Sequence, residues 1–244
     1  MTSLAIEMCH SAEIQVLYSD AALLVINKPA GLSTLPDGYN LTLPHVKSLL
    51  EPQAGRLWIV HRLDKETSGV LILARSALAH RSLNIQFEQH LVRKVYHALV
   101  DGTPVWTVHT IDLPLRPNGD RSHRTVVDQQ AGKPAVTHLE ILERFGHYCL
   151  LEAVPETGRT HQIRAHLSSL GLYIMGDKLY CRKKSQVQQD RAAAINLTNG
   201  MGLHAKSLEI THPLSNERLK FEAPYPMAWD TILQELRQGS SIKE

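Results

Sequence analysis

The stretch HRLDKETSGVLILA, residues 61–74, decides how the chain is read. It falls into two halves. His61 to Gly69 is charged and rich in hydroxyls, and Val70 to Ala74 is an unbroken apolar run of strand length. Asp64 therefore lies in a loop beside a strand, flanked by Arg62 and Lys65, with the Thr67 and Ser68 hydroxyls close by. Neighbouring cations favour an ionised carboxylate. An ionised carboxylate in such a loop can act as nucleophile or general base. The same residue also fits a plainer role, capping a turn or pairing with an arginine, and the local sequence by itself favours the plainer one.

Outward from this strand, the pattern continues on both sides. Upstream, Ile14 to Tyr18 and Leu23 to Asn27 are short apolar runs separated by Ser19-Asp20, which predicts a hairpin. Lys28-Pro29-Ala30-Gly31 carries turn chemistry, and the polar stretch from Ser33 to Gly55 has room for a short helix near His45 to Leu50. Downstream, Ser76 can cap a helix from Ala77 to about His90 with Ala79, Leu83 and Phe87 on one face. Strands are expected at Lys94 to Val100, Ala135 to Glu143, Tyr148 to Val154, Leu203 to Thr211 and Leu219 to Glu222. Thr160 can cap a helix whose inner face carries Ile163, Leu167 and Leu170, with Gly171 as its stop. A closing helix is expected from about Met227 to Arg237, and Arg182 to Asn199 reads as a polar loop or a short helix. Many strands, few helices and no regular alternation predict an α+β fold with a largely antiparallel sheet. No linker divides the chain into independent folding units. The expected organisation is an N-terminal extension over 1–13, a domain over 14–226, and a C-terminal helix and tail over 227–244.

A second cluster of chemical interest is GRTHQIRAHL, residues 158–167. His161 and Arg164 are three apart and would share a helix face, and a helix start favours an anion. Zinc is a poor fit, because His161 and His166 point to different faces and no further ligand completes a set. The alternative reading is a basic, solvated helix face. A third element is Lys94-Val95-Tyr96, where period-two alternation puts Tyr96 opposite Val95. A tyrosine there can stack on a base or move a proton, or belong to a core.

Composition narrows the classes. The chain has 244 residues, 43% hydrophobic and 20% charged, which suits a globular protein with a buried core. No run approaches the roughly 18 apolar residues of a membrane span, and the opening residues do not read as a signal peptide. Three scattered cysteines, Cys9, Cys149 and Cys181, suggest neither a disulfide frame nor a zinc site, and a reducing cytoplasm is the expected location. There is no phosphate-binding glycine loop and no nucleophile elbow, so neither a nucleotide cofactor nor a metal is expected. Net charge is only +2, but it is unevenly spread. Arg159 to Lys184 carries six basic residues against Asp177, and Arg56 to Lys94 carries seven basic against three acidic. Facing one cleft, these segments would attract a polyanion.

The motifs go further than the residue-level reading. HRLDKETSGVLIL closely resembles the catalytic signature of the RluA-type RNA pseudouridine synthases. VINKPAGL (25–32), KVYHALVDG (94–102), GKPAVTHLEIL (132–142), ETGRTHQIRAHLSSLGLYIMGDKLY (156–180) and LHAKSLEITHPLS (203–215) resemble that family's other motifs, in order, from about Ile14 to Pro226. The resemblance implies one catalytic α+β domain: a long, mostly antiparallel mixed sheet with a central cleft and flanking helices. It implies that Asp64 is the catalytic aspartate, that Tyr96 stacks on the target base and helps remove the proton from carbon 5, and that Arg164 pairs with the aspartate. Arg62 matches the arginine that fills the space of the extruded base. His61, Lys65, Thr67, Arg159, His161 and Lys28 are the further residues expected to contact RNA. Two positions depart from the family pattern: Tyr173 stands where His is usual, and Cys181 where Gly is usual. The first strand begins near Ile14, so the compact type without an N-terminal RNA-binding module is expected. That type acts on structured RNA, on tRNA, on 23S-type rRNA or on both, and a monomer is expected.

Overall fold

In the computed structural model of the chain, residues 14–38, 40–181 and 200–240 are described. The expectations for the N-terminal extension and for Arg182 to Asn199 lie outside these residues. In chain order the elements are β1 (Gln15–Ser19), β2 (Leu23–Lys28), α1 (Val46–Ala54), β3 (Trp58–Ile59), β4 (Ser68–Ala74), α2 (Ala77–Glu88) and β5 (Arg93–Asp101). There follow β6 (Val108–Asp112), β7 (Leu115–Arg116), β8 (Val126–Val127), β9 (Val136–Phe145), β10 (Tyr148–Pro155), α3 (Gln162–Ser169), β11 (Tyr173–Ile174), β12 (Leu203–Thr211), β13 (Arg218–Glu222) and α4 (Met227–Ser240). The chain forms two compact units. One takes the residues up to Lys94 with Ala205–Pro224, and the other takes Val95–His204 with the residues from Tyr225 onward.

In the first unit, β1 and β2 form the expected hairpin, and β2 pairs antiparallel with β4. Asp20 makes the turn. Its Oδ1 accepts from the Ala22 and Leu23 N–H groups, both at 2.7 Å, while Oδ2 accepts from the Tyr18 hydroxyl. The same oxygen bonds His212 Nε2 at 2.8 Å, tying this turn to the one between β12 and β13. The apolar run of β4 is buried at every position, which is why it reads as continuous rather than alternating. α2 begins as expected, with Ser76 Oγ accepting from Ala79 N–H, and lays Ala79 and Leu83 into the core with Val25, Val70 and Ile72. α1 runs four residues further than the sequence suggested, through Pro52. Burial of Val46 and Leu50 holds it there despite the proline.

In the second unit, β10 pairs antiparallel with both β5 and β9, and β6 adds to β9. β6 alternates exposed and partly covered side chains and buries only Ile111, too weak a pattern to stand out in sequence. α3 places Ile163 and Leu167 against Ala98, Val100 and Leu151. Leu170, expected on that face, is instead 37% exposed, because the helix has already ended at Ser169. Gly171, with φ of 72°, makes the stop: its N–H reaches Ser168 O, and Leu172 N–H reaches Leu167 O. α4 closes the chain, burying Trp229, Ile232 and Leu233 with Leu99, Phe145 and Leu150.

Candidate active site

In the first unit the loop carrying Asp64 is held through its backbone groups, by partners outside the loop as well as within it. Thr34, itself buried, donates its hydroxyl to Leu63 O at 3.0 Å and accepts from Leu63 N–H at 3.2 Å. One side chain thus fixes both polar groups of the residue before the aspartate. Asp64 O accepts from Thr67 N–H at 3.1 Å, closing a tight turn, and Lys65 O accepts from Gly31 N–H at 2.8 Å. At the far end Gly69, with φ of 114°, lets β4 pass close to Ala205. A Cβ there would overlap the Ala205 oxygen and lie 2.6 Å from its nitrogen. The Asp64 side chain is half-buried, while Arg62, Lys65 and Glu66 are exposed.

Three residues expected to contact RNA from this unit have other work. Lys28 is 0% exposed, and its ammonium donates to Pro29 O (2.9 Å), Leu32 O (2.7 Å) and Lys65 O (3.2 Å). Burial pushes its pKa down to about 7, against the pull of Glu66 and Asp64. Three carbonyl oxygens match the three N–H groups of the ammonium rather than the two of the amine, so this cage is built for the charged form. Lys28 therefore joins the turn after β2 to the Asp64 loop instead of facing a phosphate. The His61 ring stacks on Phe87 at 4.8 Å, and its Nε2 accepts from Ile72 N–H at 3.0 Å. Burial first, and then the Lys94 charge, push it down to about 3, so it is neutral with its proton on Nδ1. Thr67 is buried within the turn. Of the residues of this loop expected to contact RNA, Arg62 and Lys65 are the exposed ones. Lys94, to which the sequence reading gave no role, is pushed by burial down to about 8.

In the second unit, β5 buries Val95 and leaves Tyr96 half-buried opposite Ala153 of β10, but further along it buries Ala98, Leu99 and Val100 without alternation. α3 differs from its expected form. Thr160 is exposed and does not cap it; the cap residue is His161, in a left-handed conformation with φ of 52° and no side-chain cap bond. Nor is α3 a solvated basic helix, since Arg164 is 6% exposed and His166 is fully buried. Arg164 donates to Asp177 through Nε at 2.7 Å and Nη2 at 2.9 Å, and its guanidinium lies 5.0 Å from the Tyr180 ring centre. His161 lies just outside the helix as its cap, yet it and Arg164 meet the same tyrosine: His161 Nδ1 lies 3.2 Å from Tyr180 Oη.

A buried hydrogen-bond chain runs beneath this cluster. Gln162 Oε1 accepts from Arg159 N–H at 3.0 Å and from the Thr157 hydroxyl, and its Nε2 donates to Val136 O and Thr137 Oγ1. His166 bonds Thr137 Oγ1 through Nδ1 (2.9 Å) and Leu113 O through Nε2 (3.0 Å). Only one proton arrangement satisfies all of these. Nε2–H donates to Leu113 O, and the Thr137 hydroxyl donates to Nδ1 while accepting from Gln162. Burial lowers the His166 pKa and keeps it in this neutral form. Arg159, half-buried, also donates from Nε to Pro134 O at 3.1 Å. Asp177 and Tyr180 lay inside a quoted motif but had no assigned task. Their signal in sequence was only an acid and a tyrosine following a glycine, residues 176–180.

Comparison with known proteins bears on the family and the fold. The family model described as RNA pseudouridylate synthase matches residues 22–169. A protein of Pseudomonas aeruginosa named ribosomal large subunit pseudouridine synthase D is 38% identical over 95% of this chain and 74% of its own length. An RNA pseudouridine synthase of Synechocystis, itself uncharacterised, is 39% identical over 92% of this chain and 69% of its own. Among solved structures, human RNA pseudouridylate synthase domain containing 4 superposes with a TM-score of 0.73, at 27% identity, covering 91% of this chain and 92% of that one.

Proposed function

Because the chain belongs to the RNA pseudouridylate synthase family, we propose that it isomerises a specific uridine of structured RNA, with Asp64 as the nucleophile. The observation that carries the assignment is the support of the Asp64 loop. Thr34, Lys28 and Gly31 spend their polar groups holding the backbone on either side of this carboxylate. Such rigid placement is what covalent or base catalysis requires of its carboxylate.

In the reaction, the bond between uracil N1 and ribose C1′ breaks and a bond from C5 to C1′ forms. The proton leaving C5 is matched by one gained at N1, so atoms and electrons balance within the substrate. Asp64 attacks the ribose, attacks the base, or assists formation of a glycal. Tyr96 stacks on the detached uracil and helps take the C5 proton, and Arg164 is the cationic partner of the reaction. Flipping the uridine from a structured RNA costs a few kcal/mol. Phosphate contacts from Arg62, Lys65 and Arg159 offset that cost, and Arg62 fills the space left by the base. Relatives named for the large ribosomal subunit favour rRNA as the substrate, with tRNA as the second candidate. The expected setting is the cytoplasm, with the enzyme acting as a monomer.

Tritium release from RNA labelled at uridine C5 tests the reading, using unmodified large-subunit rRNA and total tRNA transcripts. Wild type releases tritium and Asp64→Ala does not. No release by wild type from either RNA would sink the activity, and release that survives Asp64→Ala would sink the nucleophile. Mapping pseudouridines in a deletion strain identifies the target.

A further inference from the structure

The Arg164 guanidinium is gripped by two side chains that the reaction as written does not use. The Asp177 side chain is 0% exposed and receives Nε and Nη2 as a fork at 2.7 and 2.9 Å. The Tyr180 ring lies against the guanidinium, 5.0 Å from its carbon. Both partners are fixed in turn by backbone. Asp177 Oδ1 accepts from Leu179 N–H at 2.9 Å and Tyr180 N–H at 3.1 Å. The Tyr180 hydroxyl accepts from Thr125 N–H at 2.8 Å and donates to Thr125 O at 3.1 Å. A buried ion pair is a weak device for stability, because desolvation cancels much of the attraction, and an apolar pair of equal volume serves a core as well. What the fork and the ring supply together is a fixed guanidinium plane.

We infer that Asp177 and Tyr180 are positioning residues of the reaction, holding Arg164 in the one orientation that chemistry uses. The inference rests on the reading of Arg164 as the cationic partner proposed above. Neither residue is assigned a contact with substrate; each acts on the chemistry through the guanidinium, and Tyr180 also bonds His161. Loss of orientation should therefore appear in kcat, while RNA binding and KM stay nearly constant.

The test is single-turnover and steady-state tritium release from 5-tritiated large-subunit rRNA and tRNA transcripts. The variants are Asp177→Asn, Asp177→Glu, Tyr180→Leu, Tyr180→Phe, Arg164→Lys and the double variant Asp177→Asn/Arg164→Lys. A catalytic group displaced by an ångström loses about 100-fold in rate. Asp177→Asn is expected to lower kcat by about that factor with KM changed less than about threefold. Tyr180→Leu should lower kcat by about tenfold, and Tyr180→Phe, which keeps the ring, by less. Asp177→Glu restores a carboxylate and should recover part of the loss. Adding Asp177→Asn to Arg164→Lys should cost little more, since both act through one group. Multiplicative effects in the double variant would overturn the inference, as would a loss confined to KM or one that follows only the folded fraction in thermal melts. If Asp177→Asn does not fold, the Tyr180 variants decide, and a wild-type kcat in Tyr180→Leu overturns it. Arg164→Lys at the wild-type rate would instead sink the reading of Arg164 itself. Slow Arg164→Lys beside fully active Asp177→Asn and Tyr180→Leu sinks the positioning inference alone.

Discussion

Replacing Lys28 by methionine keeps the length of the side chain and removes three hydrogen bonds from the floor of the Asp64 loop. Two opposing quantities set the size of the effect. A hydrogen bond to a charged group contributes about 1.5–3 kcal/mol net, so the three together hold about 4.5–9 kcal/mol. Against this stands the burial of the ammonium. A pKa pushed from 10.5 to about 7 corresponds to about 5 kcal/mol of extra cost, relative to water, for holding the ammonium, and methionine does not carry that cost. The difference leaves a destabilisation of about 2 kcal/mol, and of about 4 kcal/mol at most. The damage is local, because the bonds join residues 29 and 32 to residue 65. Equilibrium unfolding in urea measures the global change. Hydrogen exchange at the Gly31 and Thr67 amides, which bond Lys65 O and Asp64 O, measures the local one. Exchange there should accelerate, and kcat for tritium release should fall by tenfold or more (on the order of 1.4 kcal/mol in the barrier). A variant stable to within about 0.5 kcal/mol, with unchanged exchange and a raised KM for RNA, would refute the reasoning. It would return Lys28 to the phosphate-contact role that the sequence suggested.

Other perturbations test neighbouring parts of the argument. Gly69→Ala drives a methyl group into the Ala205 backbone at a φ of 114° and should destabilise by about 3 kcal/mol or prevent folding; a thermal melt within two degrees of wild type would contradict the close approach. Asp20 has a folded pKa below its ordinary value of 3.8: burial would raise it, but bonds from Leu23 N–H, Tyr18, Ala22 N–H and His212 outweigh that. Its stabilisation is therefore complete above the carboxylate range and lost as pH falls through it, so Asp20→Asn should be less stable than wild type at neutral pH and converge with it in acid. His166→Phe removes the acceptor for the Thr137 hydroxyl and the donor to Leu113 O, and urea unfolding should register about 2 kcal/mol of loss. Arg62→Ala and Lys65→Ala should each weaken RNA binding and reduce its slope of log affinity against log salt by about 0.7–0.9, and an unchanged slope would remove that residue from the phosphate contacts.

How far this was legible in the sequence depends on what kind of signal each element left. β4 was plain because all seven of its residues are buried, and a buried strand writes an apolar run. The β1–β2 turn was plain because an aspartate beside the turn is a local device, and the structure uses it that way. β6 was missed because an edge strand with one buried residue has no pattern to find, and β3, β7, β8 and β11 have two residues each. The cap of α3 was misread because Thr160 has the right chemistry but the chain turns through His161 in a left-handed conformation. A glutamine side chain, Gln162, takes up the Arg159 N–H instead.

The charges were the least legible feature, for a physical reason. A count along the chain treats every lysine and arginine as available to a polyanion, but availability is decided by burial and by partners distant in sequence. Arg164 contributes to the basic excess of its segment, yet its charge is matched by Asp177, thirteen residues further on. Lys28 is enclosed by three carbonyls, and His61 and His166 are held neutral. Among the described residues of these segments, the cations open to solvent are the exposed or half-buried ones, such as Arg62, Lys65, Arg159 and Lys178. Two of the buried ones serve a different end: Lys28 fixes the Lys65 backbone beside Asp64, and His166 ties the helix that carries Arg164 to Thr137 and Leu113. Basic residues near Asp64 and Arg164 thus fall into two sets, an outer one open to a polyanion such as the RNA proposed above and an inner one that stiffens the loop and helix beneath. Salt should weaken the work of the first and leave that of the second largely intact.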